Sequence, residues 1–251
     1  MMLGVLDWGV GGLFAAAHAC TREPMLDVLY RADTGSTPYG LQTRAQLARS
    51  VQAGLDTLAS QGATHIVIAC HSASTALRDV VPPVPTWGVI DASSVPQDAE
   101  KVLVLGGART IRCGHWRRAL QDLPGSRQIV QRISQPLSAH VEAGTSASAA
   151  CGADLDRILA PAQDADCVVL ACTHYAALVS HIAERMPDTL QVDPAISVVD
   201  ALPLQPGRQR FSASTTGDVA ALIRAGKQAL GQRWPSHWNS VVQIKDTLHR
   251  S

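Results

Sequence analysis

Short apolar runs recur along the chain: Leu3 to Leu6, Val28 to Tyr30, His65 to Ala69, Val102 to Leu105 and Val168 to Ala171. They lack strict alternation, as parallel strands do when helices cover both faces. Polar or Gly residues follow each run, and then Ala- and Leu-rich stretches. Thr43 to Ala59 places Ala45, Leu47, Val51, Leu55 and Leu58 on one helical stripe, and Asp218 to Leu230 reads the same way. This rhythm predicts an α/β protein.

The strand at Val28 to Tyr30 leads into Asp33 to Gly40, a loop too polar and too rich in Pro and Gly for core. Such loops are where sites are built. Pro82, Pro83, Pro85 and Pro96 cluster at one point and Pro203 to Pro206 marks another, which predicts that the chain crosses twice between two lobes. The segment His65 to Leu77 aligns without a gap to Cys167 to Val179, 102 residues later. Both read as apolar run, Ala, Cys, polar pair and helix, a spacing too long for a solenoid repeat. The expectation is two pseudo-symmetric α/β lobes with mainly parallel sheets and the active site in the interlobe cleft. Residues 1–94 plus 209–251 would form the first lobe and 95–208 the second. The small-residue stretch Gly144 to Gly152 reads as loop or helix end.

Composition narrows the function classes. The 251 residues are 46% hydrophobic, enough for a sizeable core, and 21 Lys and Arg balance 21 Asp and Glu. A net charge of zero without a basic stripe argues against nucleic acid as partner. Six cysteines without a CxxC pair fit a reducing compartment rather than a disulfide framework. The apolar first twenty residues have no preceding basic residue and are broken by Asp7, Gly9, Gly11 and Gly12, so they read as strand, loop and helix rather than as a leader. No run approaches the roughly 20 apolar residues of a membrane span. A soluble cytoplasmic protein is expected, with a small molecule as ligand and no membrane partner.

Cys70 and Cys172 each follow an apolar strand, at the carboxyl edge where parallel sheets bind ligands. A helix N-terminus there would favour a thiolate. With Asp7 beside one thiol and His174 beside the other, the pair suits a two-base reaction in which one group removes a proton from carbon and the other returns one to the opposite face. Hydroxyls of Ser72, Thr110 and Thr173 and the backbone of Gly40 would fix carboxylates. This chemistry needs neither metal nor organic cofactor. For Cys20, Cys113, Cys151 and Cys167 simple packing is the expectation. Asp7 also fits a helix N-cap, and His174 a hydrogen-bonded loop residue. Cys70, His71, Cys172 and His174 have the ligand types of a zinc site but not the spacing. Gly9, Gly11 and Gly12 imitate a dinucleotide fingerprint, yet Phe14 occupies its third glycine position. Trp234 and Trp238 are expected to pack the C-terminal segment onto the first lobe.

Four blocks carry a family resemblance: Leu6 to Gly12, Ala32-Asp33-Thr34 with Pro38-Tyr39-Gly40, Ala69 to Ala73, and Ala171 to Tyr175. In order and spacing they resemble the signature blocks of the glutamate racemases, within the aspartate/glutamate racemase superfamily. The similarity continues through Pro136 to Gly144, where Glu142 falls on an acidic position of the family, through Val192-Asp193 and into Phe211 to Gly231. The resemblance implies a cofactor-independent enzyme that interconverts L- and D-glutamate for peptidoglycan, and it admits a homodimer. It implies Cys70 and Cys172 as the acid/base thiols, assisted by Asp7 and His174. Trp8, Tyr39, Gly40, His71, Ser72, Thr110, Glu142 and Thr173 fall in the substrate shell. The chain departs from the family at Trp8, where Ser is usual, at His71-Ser72, where Asn-Thr is usual, and at Gly107, where Thr is common. A ring at Trp8 enlarges an apolar body in the pocket, and His71 would donate, accept or protonate near neutral pH. The rival readings are a racemase for another acid such as aspartate, and a silent amino-acid-binding paralogue.

Overall fold

The structure, a computed structural model, describes residues 1–90, 93–239 and 242–245. Its strands fall into two sheets in which every recorded pairing is parallel. The first contains β1 (Met2–Asp7), β2 (Asp27–Ala32), β3 (His65–Ile68) and β4 (Thr86–Gly88). The second contains β5 (Lys101–Gly106), β6 (Gln128–Ile133), β7 (Cys167–Ala171) and β8 (Leu190–Val192). The chain then returns to the first sheet with β9 (Phe211–Thr215) and β10 (Val242–Lys245). The orders are β10-β9-β2-β1-β3-β4 and β6-β5-β7-β8. The order β2-β1-β3-β4 repeats as β6-β5-β7-β8, so the aligned segments of sequence occupy equivalent strands, β3 and β7. The distal residues 246–251 of the expected first lobe lie outside the described residues.

Helices α1 (Gly12–Arg22), α2 (Arg44–Ser60) and α3 (His71–Ser74) belong to the first half. The second sheet carries α4 (Ala108–Arg112), α5 (His115–Gln121), α6 (Gln135–Glu142), α7 (Ala149–Leu159), α8 (Val179–Ala183) and α9 (Pro194–Ala201), and α10 (Val219–Leu230) follows β9. The stripe seen in the sequence of α2 buries Leu47, Val51, Leu55 and Leu58 against Leu6, Leu29, Ile66 and Ile68. Burying each of those leucines contributes about 1.5–3 kcal/mol before the entropy of ordering is set against it. A capping box starts α2: Thr43 Oγ1 accepts from Gln46 N at 3.3 Å, and Gln46 Oε1 accepts from Thr43 N at 2.9 Å. Asp218 caps α10 by accepting from Ala221 N at 2.9 Å.

The lobes meet along α1, which packs on α9 and is tied to it by His18 to Asp200 at 2.7 Å and by Arg22 to the Val199 carbonyl. A single apolar cluster runs from Leu3 and Val5 through Leu13 and Ala16 to Leu103 and Val168, joining both sheets. Trp238 is buried and stacks on Phe211 with ring centres 3.9 Å apart, and Trp234 meets it edge-on at 5.3 Å. The stretch Gly144 to Gly152, expected as loop or helix end, is both: Ser148 accepts from Cys151 N and starts α7 at Ala149. One expectation is corrected. Asp7 does not cap a helix, because α1 begins after Gly11 with no side-chain cap.

Candidate active site

A cavity of about 490 Å³ lies where the carboxyl ends of the two sheets face one another. Its wall takes Asp7 from the last position of β1, Cys70 from just beyond β3, Gly107 after β5, Gln135 shortly after β6 and Cys172 directly after β7. Parallel strands bring these ends to one edge, so the cavity is the crevice that such sheets offer a ligand. All the site residues expected from the sequence line it: Asp7, Trp8, Tyr39, Gly40, Cys70, His71, Ser72, Thr110, Glu142, Cys172, Thr173 and His174.

On the first side, Cys70 precedes the short α3. Burial, reinforced by the negative charge of Asp7, pushes its thiol well above the ordinary value, against the help of the Ala73 and Ser72 backbone amides. The expectation that a helix start would lower this pKa therefore fails for Cys70: four residues of helix do not outweigh desolvation and the Asp7 charge. Asp7 is fully buried, accepts from Gly9 N at 3.1 Å and from Thr173 Oγ1 at 2.9 Å, and is held above the usual carboxylate range by burial. Its bond to Thr173 crosses from one sheet's loop to the other's. A Cβ at Gly11 would overlap Thr173 and stand 2.8 Å from His174 N, so the glycine is what lets the two loops close together.

On the second side, Cys172 Sγ lies 3.6 Å from His174 Nδ1, while His174 Nε2 meets Glu142 Oε1 at 2.5 Å. Glu142 Oε1 also accepts from Val10 N at 3.2 Å, a second link between the lobes. Burial disfavours the His174 imidazolium, but Cys172 and Glu142 outweigh it and raise its pKa well above the ordinary histidine value. Burial likewise opposes ionisation of Glu142, yet the bond to His174 leaves its pKa lowered. The result is an imidazolium sandwiched between a sulfur and a carboxylate.

The remaining walls are neutral. Ser72 Oγ and Thr110 Oγ1 are 3.4 Å apart. His71 is 2% exposed, stacks on Trp116 at 6.1 Å, and among the described residues neither ring nitrogen has a hydrogen-bond partner. Burial lowers its pKa to about 3, which corrects the expectation that it would protonate near neutral pH. Trp8 is half-buried, with Nε1 3.3 Å from the Ser36 carbonyl. Arg109 donates to the Tyr39 and Gln42 carbonyls, so α4 grips the loop that carries Tyr39 and Gly40. Of the other cysteines, Cys20, Cys151 and Cys167 are buried and Cys113 donates to the Thr110 carbonyl at 3.1 Å. Among the described residues no group of three or more His, Cys, Asp and Glu is arranged to hold a metal ion, and no helix is long and apolar enough to cross a membrane.

Sequence reasoning missed Gln135 and Ser138, which line the cavity from α6. The signal available was Pro136, since proline in a first helical turn marks a helix start and therefore the loop end of the preceding strand.

Cys172 beside a histidine paired with a carboxylate, and Cys70 near the buried Asp7, bring two thiols from the two lobes to one cavity, an arrangement able to exchange protons with a small molecule. A profile of the Asp/Glu/Hydantoin racemase family matches residues 13–202. The chain is 33% identical to a glutamate racemase of Parafrankia sp. (strain EAN1pec), over 91% of this chain and 90% of that protein. It superposes on the crystal structure of glutamate racemase from Thermus thermophilus in complex with β-chloro-D-alanine with a TM-score of 0.79, 26% identity and coverage of 97% and 96%. Glutamate racemase isoform RacE1 from Bacillus anthracis shares the fold, with a TM-score of 0.83 at 23% identity over 98% of this chain and 97% of that one. By profile and relatives together, the chain belongs to the Asp/Glu/Hydantoin racemase family and is an amino-acid racemase.

Proposed function

We propose that the chain interconverts L- and D-glutamate by a two-thiol acid/base mechanism, with Cys70 and Cys172 on opposite faces of the α-carbon. The observation that carries the reading is that both thiols line one cavity, each with its own proton partner. In one direction Cys172, as thiolate beside the His174 imidazolium, takes the α-proton. Cys70, kept protonated by burial and Asp7, gives its proton to the other face. The carbon loses one proton and gains one, so the substrate is inverted without redox change. Asp7, whose carboxyl is also pushed up, returns a proton to Cys70, and His174 relays the one taken by Cys172. In the reverse direction the thiols exchange roles.

Among the described residues no lysine or arginine lines the cavity. Carboxylates would therefore rest on Ser72, Thr110, Thr173, the Tyr39-Gly40 backbone and the neutral His71, donors that bind charge without fixing the α-carbon's proton. Every proton in this cycle has a side chain to carry it, so the proposed reaction is independent of cofactors. The product would serve peptidoglycan assembly in the cytoplasm, as the family resemblance implies. Trp8 in the wall favours one second reading, a shorter acid such as aspartate, because a large ring stands where the family usually has a serine.

The test is proton NMR of the protein in deuterium oxide with L- and D-glutamate and L- and D-aspartate. Loss of the α-hydrogen signal of glutamate is expected. Exchange with aspartate alone would reassign the substrate, and no exchange with either would leave a binding protein.

A further inference from the structure

We infer that Gln135 is a substrate-positioning residue, holding the ammonium group of the amino acid through its side-chain oxygen. The inference rests on the proposed function and deepens it. Gln135 is the first residue of α6 and lines the same cavity as both thiols. Its amide orientation follows from the hydrogen bonds around it. Ser138 Oγ donates its single proton to the Gln135 carbonyl at 2.9 Å, so toward the amide at 3.2 Å it can only accept. Nε2 is thereby turned to Ser138, and Oε1 is turned the other way, to the cleft.

There Oε1 stands 3.0 Å from where a Cβ on Gly107 would be and 3.9 Å from the same point on Gly40, which is itself 3.8 Å from Ser72 Oγ. The oxygen of this second-lobe residue thus faces the Gly40 loop of the first lobe. The missing side chain at Gly107 is what admits it, because a methyl group there would press on the amide. An amide oxygen only accepts hydrogen bonds, and on an acidic amino acid the ammonium group is the strong donor. Asp7 and Glu142, the carboxylates of the wall, already accept from Gly9 and Thr173 and from His174 and Val10 respectively. The neutral Gln135 oxygen can receive the ammonium while adding no charge to repel the substrate's carboxylates.

The experiment measures glutamate affinity by calorimetry and turnover by exchange, on the unaltered protein, Gln135→Ala, Gln135→Glu, Gly107→Ala and the Gly107→Ala/Gln135→Ala double variant. Gln135→Ala should weaken glutamate binding about tenfold, the effect of one hydrogen bond to a charged group, with kcat changed less than about twofold. Gln135→Glu keeps an acceptor and adds a charge, and should bind within about threefold of the unaltered protein. Gly107→Ala should weaken binding alone but add nothing in the Gln135→Ala background, since its effect acts through the amide. Unchanged binding in Gln135→Ala, additive effects of the two alanines, or a Gln135→Glu variant weaker than Gln135→Ala would overturn the assignment. In the last case the partner is a carboxylate. Binding without exchange by the unaltered protein would sink the racemase reading alone and leave the affinities to decide Gln135, whereas no glutamate binding at all would overturn both.

Discussion

Replacing Glu142 by Gln tests whether the His174 imidazolium is held by its carboxylate. The amide keeps an acceptor for Val10 N but removes the charge opposite His174 Nε2, 2.5 Å away. A charge-assisted hydrogen bond is worth about twice a neutral one, so the expected loss of stability at pH 7 is about 1.5 kcal/mol. The pH dependence follows from the two shifts. Glu142 has a lowered folded pKa, so its contribution is present above its unfolded value of 4.5 and disappears as pH falls through the folded one. His174 has a raised folded pKa, so its contribution is present below its unfolded value of 6.5 and is lost as pH rises through the folded one. The difference between the two proteins should therefore be largest between these limits and shrink on either side. Urea denaturation at acid, neutral and alkaline pH reads it directly. Without the carboxylate only Cys172 opposes the burial that disfavours the His174 imidazolium, so kcat should fall about a hundredfold, the lower end of what a positioned acid/base group contributes. A stability difference that does not vary with pH, or a kcat within about twofold of the parent, would refute the reasoning.

Trp8→Ser should raise kcat/KM for glutamate relative to aspartate if the ring sets the length of the cavity; an unchanged ratio in paired kinetic assays would assign Trp8 to packing. Asp27 is buried at the start of β2, and although burial opposes its ionisation, bonds from Arg210 and from the Arg208 and Arg210 amides hold its pKa at about 2. Asp27→Asn should thus cost about 1 kcal/mol at neutral pH, after discounting for the exposed Arg210. The difference should be present above the ordinary aspartate pKa of 3.8 and vanish as pH falls through about 2, as followed by thermal unfolding.

Strands β1, β2, β3, β5 and β7 were legible because a parallel sheet covered on both faces leaves uninterrupted apolar runs, and α2 because its apolar stripe is local. The repeat of His65 to Leu77 in Cys167 to Val179 anticipated the matching positions of β3 and β7. What escaped depends on residues distant in sequence. The neutral state of His71 comes from burial against Trp116, and the high pKa of Cys70 from burial beside Asp7. Neither motif shows how dry its surroundings become. Gln135 escaped because its place is set by Gly107 and Ser138, and a lone Gln before a proline carries no chemical signal of its own. The start of α7 was hidden by a run of Ala, Ser and Gly, where only the Ser148 cap distinguishes helix from loop.

Two bases acting on opposite faces leave a signature in the partition of solvent deuterium over the first turnovers. L-glutamate is incubated in deuterium oxide with the protein, the reaction is stopped early, and the two enantiomers are separated and weighed by mass spectrometry. Two thiols predict deuterium at the α-carbon of the D-glutamate formed and protium in the L-glutamate recovered, because the proton delivered comes from Cys70 or Cys172 equilibrated with solvent. D-glutamate that retains the original hydrogen, or L-glutamate labelled before product accumulates, would mean that one group serves both faces and would contradict the account.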